Sequence, residues 1–304
     1  MPVRTDIAWQ AGNSAHEGPT CHGGVVRVLS ASSVYNEIFD NDAAFQLFCS
    51  IAASDESQGG WENGRIAALV PESCQDLAPK IARHGADEDK HGRIFRALLH
   101  KRGLEPVPVP DDTNYTMRLE DTGIGLAHDK LRHDEQLTEQ DIITYLVHSR
   151  VTEQRASEQM QALRKVSGSH EDIARAIRMI SNDEDNHLAY CHEELLRLAA
   201  AGYAPVIQHE LRRSAMAEIG VYRDISKSVM GRLGRLLRWS GPKSATLAAG
   251  IQAVYAYDRL GGWRRMVSLS PPERHNALGG PATDAPTLAL ARRETRVLAG
   301  TGAE

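Results

Sequence analysis

The sequence predicts an all-α protein built around a four-helix bundle. Three observations carry that prediction. Only 5% of the residues are aromatic, while Ala, Leu, Glu and Arg are plentiful, a composition that favours helix over sheet. Apolar residues recur at alternating steps of three and four along four long stretches. Finally, the word Asp87-Glu88-Asp89-Lys90-His91 returns 96 positions later as Asp183-Glu184-Asp185-Asn186-His187. With 304 residues the chain exceeds one bundle and has room for an appendage. The net charge of -5 gives no global reason to expect nucleic acid.

Residues 1–33 are rich in Gly, Ser and His without a period, and read as a flexible N-terminal arm. Cys21 and His22 form an isolated pair there, and an isolated pair in a loose arm is a poor metal site. The bundle is expected over residues 34–204. Its first helix should run from Asn41 to Val70 with the stripe Phe45, Cys49, Ala52, Glu56, Gly59/Gly60, Asn63, Ala67, and Pro71 ends it. The second starts near Pro79, a favourable first-turn proline, and stops at Gly103. Its stripe is Ile81, His84, Glu88, His91, Phe95, Leu98.

A proline-rich connection follows, too long for a hairpin, and a long crossover between the second and third helices is one way to close a bundle. The third helix begins at Thr138, with Asp141 completing a capping-box pattern, and carries Ile142, Leu146, Ser149, Glu153, Ala156, Met160, Leu163. The fourth begins after Ser169 and carries Ile173, Ile177, Ile180, Glu184, His187, Cys191, Leu195.

The charges inside these stripes need partners, because a bare buried charge is expensive. Residues i and i+3 are neighbours on a helix, so each Glu-x-x-His aims a carboxylate and an imidazole at one point. A hard oxygen donor beside a neutral nitrogen suits iron or manganese, and two such words suit a pair of ions. Register then selects the remaining acids. Glu88 lies about 10 residues into its helix, and the same distance back along the first helix reaches Glu56; Glu62 is about 7 Å out of level. Glu184 pairs in the same way with Glu153 rather than Glu158. Glu56 and Glu153 are offset by 97 positions, matching the repeat of the two words. Asp87 and Asp183 occur in both words, and a metal-bound His usually passes its second N–H to an oxygen. Asp87 is expected to orient His187, and Asp183 to orient His91, across the bundle.

Glu56, Glu88-x-x-His91, Glu153 and Glu184-x-x-His187 together resemble the ferritin-like di-iron carboxylate superfamily, over residues 41–201. Glu56-Ser57-Gln58 is similar to the first-helix word of rubrerythrins, and Glu153-Gln154-Arg155-Ala156 to the third helix of tRNA-modifying di-iron hydroxylases. The resemblance implies two iron ions, with manganese as the alternative. Glu56 and Glu153 would be terminal or bridging ligands, Glu88 and Glu184 would bridge or chelate, and His91 and His187 would each cap one metal. Storage ferritins have one Glu-x-x-His and a shorter chain, and rubrerythrins add cysteine pairs. Here Cys21, Cys49, Cys74 and Cys191 form no C-x-x-C, which also argues against a disulfide scaffold or structural zinc.

The implied activity is that of a monooxygenase or other oxidoreductase. It would use dioxygen, an external electron donor and a small organic or carrier-bound substrate. A peroxidase, ferroxidase or manganese catalase is the alternative within chemistry; a metal-stabilised binding protein is the alternative outside it. Gly59 and Gly60, beside Glu56, mark either an open channel or close helix packing, and on the channel reading Gly60→Leu blocks turnover with metal content intact; Cys49 and Ala52 would line the channel further along. His84 reads as a hydrogen-bonded core histidine or a group just behind the ligands, and His148 as a surface residue.

Residues 205–268 read as a basic helical extension broken at Gly241-Pro242. Its segment Arg232–Trp239 is amphipathic, and packing on an acidic bundle is favoured over a membrane surface or RNA. Residues 269–304 read as a disordered tail. The start of the chain lacks a secretory core and no run of about 18 apolar residues occurs, so the cytoplasm is the expected location. A homodimer is compatible with this reading.

Overall fold

Asn41 separates two helices. Its side chain accepts from Ala44 N at 3.0 Å and so caps α2 (Asp42–Leu69). The preceding residues form α1 (Ala31–Asp40), whose Val34, Ile38 and Phe39 are buried. Helix therefore begins inside the stretch expected to be a loose arm, because the apolar i, i+4 spacing of Val34 and Ile38 gives α1 a face to bury. The computed structural model describes residues 31–269, which contain helices and loops and no strand. Residues 1–30, with Cys21 and His22, and the tail from 270 lie outside the described residues.

The other long helices are α3 (Ala78–Lys101), α6 (Glu139–Val166) and α7 (Glu171–Leu198). Pro79 sits in the first turn of α3, and Gly103, at φ +69, terminates the turn after it. Thr138 and Asp141 form the expected capping box on α6, with Asp141 N to Thr138 Oγ1 at 3.2 Å and Thr138 N to Asp141 Oδ2 at 2.8 Å. Helices α2 and α3 form one antiparallel hairpin, and α6 and α7 form another. Glycines permit the close approach in the first: a Cβ at Gly85 would lie 3.0 Å from Gly60 O, and one at Gly92 would lie 2.6 Å from Ser57 Oγ.

The connection between the hairpins carries α4 (Tyr115–Glu120) and α5 (His128–Arg132) and travels the length of α2. It is pinned along the way, from Val107 N on Ser50 Oγ (3.0 Å) through Asn114 Nδ2 on Gln58 Oε1 (3.2 Å) to Leu137 N on Leu69 O (2.8 Å). It thus delivers the start of α6 beside the end of α2, so those two helices run antiparallel.

Apolar side chains collect in two clusters at opposite ends of the four long helices. Ile66, Ile81, Leu146 and Leu195 belong to one, and Phe45, Phe95, Leu163 and Ile177 to the other. Each helix reaches both clusters, and its polar members lie between them. The hydrophobic driving force therefore fixes helix register at both ends and holds the mid-helix acids and imidazoles in place.

The C-terminal helices are α8 (Ala204–Leu236), α9 (Gly241–Tyr257) and α10 (Arg264–Val267). The break falls at Ser240, whose hydroxyl accepts from Lys243 N and whose successor residues are the expected Gly-Pro pair. Helix α8 packs on α6, fastened by buried charge. Arg155 Nε and Nη2 donate to Glu218 at 2.8 and 2.9 Å, and Nη2 also to Asp258 Oδ2 at 3.0 Å. Arg265 donates to Glu158 and Asp258 at 2.6 and 2.7 Å. The basic surplus is spent partly on contacts to the rest of the chain, as in Lys243 and Trp239 on Glu37 and Arg232 on Asp112. Among the described residues no helix is long and apolar enough to cross a membrane.

Candidate metal centre

The middle of the four long helices brings together all six side chains predicted as ligands. Glu56 comes from α2, Glu88 and His91 from α3, Glu153 from α6, and Glu184 and His187 from α7. Their donor atoms form two overlapping groups, each with atoms within 4.8 Å of one another: Glu56, Glu88, His91, Glu184, and His84, Glu88, Glu153, His187. Glu88 belongs to both groups. Glu184 also spans them, with one oxygen 3.4 Å from His91 Nδ1 and the other 3.7 Å from His187 Nδ1.

Both imidazoles turn Nδ1 inward and Nε2 outward. His91 Nδ1 lies 3.2 Å from Glu56 Oε2, while its Nε2 lies 3.1 Å from Asp183 Oδ2. His187 Nε2 faces Asp87 Oδ2 at 3.6 Å, an ion-pair distance too long for a hydrogen bond. Each aspartate thus meets the histidine of the opposite word, across the interface of α3 and α7. Lys90 bridges the two aspartates, 2.7 Å from Asp87 Oδ1 and 2.7 Å from Asp183 Oδ2. His187 above all, then Lys90 and Arg83, hold the Asp87 carboxyl well below its ordinary range against the effect of burial.

His84, read from the sequence as a hydrogen-bonded core histidine or a group just behind the ligands, is a seventh donor in this cluster. One turn before Glu88 on the same face, it puts Nε2 at 3.0 Å from Glu88 Oε1 and 3.2 Å from Glu153 Oε1. Its Nδ1 is held 2.8 Å from Tyr190 Oη, which is 2.6 Å from Tyr145 Oη. The signal was present in the spacing His84-x-x-x-Glu88, i and i+4 on a helix. The position 96 residues on from His84 is Ile180, fully buried, so the repeat breaks here. One donor group consequently has two nitrogens and the other has one.

Electrostatics describe a cluster short of positive charge. Burial, with the carboxylates of Glu88 and Glu184 close by, pushes Glu56 well above the usual carboxylate range. Burial and Glu153 do the same to Glu184. Burial also acts on Glu88 and Glu153, but the His187 and His84 imidazoles outweigh it and hold both carboxyls low. His187 is raised in return by Asp87 and the glutamates, against the effect of burial. The donor set fits a pair of cations on one further observation. His187 Nδ1 is buried with no hydrogen-bond partner, although glutamate oxygens surround it at 3.3 to 3.7 Å. An orphaned buried nitrogen costs about 1–3 kcal/mol, and an ion shared with those oxygens relieves it.

The acids rejected on register have other partners. Glu62 Oε1 lies 2.7 Å from His128 Nε2, and Glu158 binds Arg265.

A cavity of about 330 Å³ opens on the α2/α6 side of the cluster, with Glu56, Glu88, Glu153, Glu184 and His84 in its wall. Tyr115 of α4 and Tyr222, Val229 and Met230 of α8 also line it. Gly59 lines it, and a Cβ there would only touch Glu88, at 3.6 Å. Gly60 instead faces α3, where a Cβ would meet Asp89 Oδ1 at 2.5 Å and Asp89 N at 3.2 Å. Gly59 therefore borders open space, and close packing accounts for Gly60. Ala52 lines the cavity, whereas Cys49 lies in the apolar cluster. His148, expected at the surface, lines the cavity with its Nδ1 buried and unpartnered; the roof that covers it is formed by segments distant in sequence. Compared with family models, curated proteins and solved structures, the chain has no match.

Proposed function

We propose that this protein is a dioxygen-activating, dinuclear non-haem iron oxidoreductase with a ferritin-like bundle, acting as an oxygenase on a small organic substrate. The observation that carries the reading is the buried meeting of four glutamates and three histidines beside a cavity of substrate size. Glu56, Glu88, His91 and Glu184 would hold one ion, and His84, Glu88, Glu153 and His187 the other, in inequivalent donor sets. Reduced iron bound there supplies two electrons for reaction with dioxygen.

The protein's own part follows from its residues. Asp183 fixes the ring of His91, and Tyr190 fixes that of His84, so the inward nitrogens keep their aim. Helix α8 of the extension covers part of the cavity, and the water it displaces would otherwise weaken the charge interactions there. The cavity favours an organic substrate over iron oxidation alone, since a ferroxidase needs no apolar chamber.

Metal analysis of the purified protein tests the centre: about two ions per chain are expected, falling to near none in Glu153→Ala and His187→Ala. Anaerobic reduction followed by labelled dioxygen tests the activity. Label in an organic product supports the oxygenase; peroxide consumption alone supports a peroxidase or, with manganese bound, a catalase. No oxidation with metal retained supports a binding protein.

A further inference from the structure

Two buried polar atoms among the cavity's lining side chains have no partner, Asp55 Oδ1 and His148 Nδ1. The Tyr115 N–H reaches Asp55, and with Oδ1 unpaired that bond falls on Oδ2. Three other polar groups of the lining are committed elsewhere. Tyr115 Oη donates to Glu218 at 3.0 Å, Arg155 is taken by Glu218 and Asp258, and Glu62 by His128. Asp55 thus lines the chamber while one of its oxygens, buried, has no donor from the chain, and leaving such a group unmatched is costly.

Towards the start of α2 and the end of α6 the same chamber is apolar, lined by Phe48, Ile51, Phe95, Met160, Val229 and Met230. One wall is oily and one carries a lone acceptor. We propose that the cavity binds a small molecule bearing an N–H donor on an apolar body, with the donor seated on Asp55 Oδ1. This deepens the reading above by naming the substrate class. It selects against carboxylates, which bring a charge into an apolar chamber and no N–H donor, and against pure hydrocarbons, which leave Oδ1 unmatched.

The test uses benzylamine, its isostere ethylbenzene, and phenylacetate as probes on the full chain, metal-free and iron-loaded, with binding read by NMR titration. Benzylamine is expected to bind at least about tenfold more tightly than ethylbenzene, with phenylacetate weakest. Asp55→Asn, a near-isosteric change, should shrink the benzylamine preference to about threefold or less. Met230→Trp, which fills the apolar end, should weaken all binding. Equal binding of benzylamine and ethylbenzene, a preference that survives Asp55→Asn, or no binding of any probe overturns the proposal. Melting curves check folding, and if Asp55→Asn fails to fold, selectivity among the three probes on the unsubstituted chain decides. Metal-free protein that selects benzylamine but takes up no iron retains this inference and removes the oxidoreductase reading; iron uptake without selectivity does the reverse.

Discussion

His128 locks the crossover onto α2, and its replacement should cost stability in a pH-dependent way. The imidazole lies between two carboxylates, with Nε2 at 2.7 Å from Glu62 Oε1 and Nδ1 on Glu120, while Trp61 stacks over the ring at 5.4 Å. Hydrogen bonding to Glu62, then to Glu120, outweighs burial and raises the His128 pKa from 6.5 to about 9. A group raised on folding stabilises fully below its unfolded value, and that contribution disappears as pH rises through the folded one. At about 1.4 kcal/mol for each pH decade, the span from 6.5 to about 9 caps the effect at about 3 kcal/mol. The measurement is urea unfolding of the protein and of His128→Gln between pH 6 and pH 10. The gap between them should be widest near pH 6 and narrow steadily above pH 7, leaving by pH 10 only the difference due to packing. A gap that is constant across the range, or that widens with pH, would refute the charge clamp.

Two other substitutions test the packing. Glu218→Ala leaves the buried Arg155 guanidinium with Asp258 as its main partner and should cost on the order of 3 kcal/mol in urea unfolding. Gly59→Ala meets only ordinary contacts and should stabilise by up to about 1 kcal/mol through helix propensity, whereas Gly60→Leu should destabilise by about 1–3 kcal/mol. Thermal melts of the two variants check the contrast, and equal effects would contradict the different placement of the two glycines.

Much of the architecture was readable because local rules sufficed. The Thr138/Asp141 cap, Pro79 in its first turn and the stop at Gly103 are short-range chemistry, and the structure places helix ends within a few residues of the expected ones. The choice of Glu56 over Glu62 and Glu153 over Glu158 was readable because helix rise is constant. His84 was readable as a hydrogen-bonded core histidine, but a histidine in an apolar stripe has the same signature whether it meets a tyrosine or a carboxylate; in fact it meets both. His148, Asp55 and the roof were not readable at all. Asp55 meets the backbone of Tyr115 and His148 lies against Gly125, both in the crossover, and α8 supplies the rest of the roof; these contacts join segments too distant for any periodicity to report. The start of α1 was obscured by the Gly- and Ser-rich residues before it.

Arg155 stands two positions beyond Glu153 on the same helix, yet its chief counter-charges arrive from Glu218 and Asp258 more than sixty residues later. A chain cut before α8 would therefore expose a guanidinium and remove the cavity wall that Tyr222, Val229 and Met230 supply, in addition to losing length. The helices over residues 204–267 behave as an integral wall rather than a detachable module, and their loss should show first as a leaky, solvent-flooded interior around the acids.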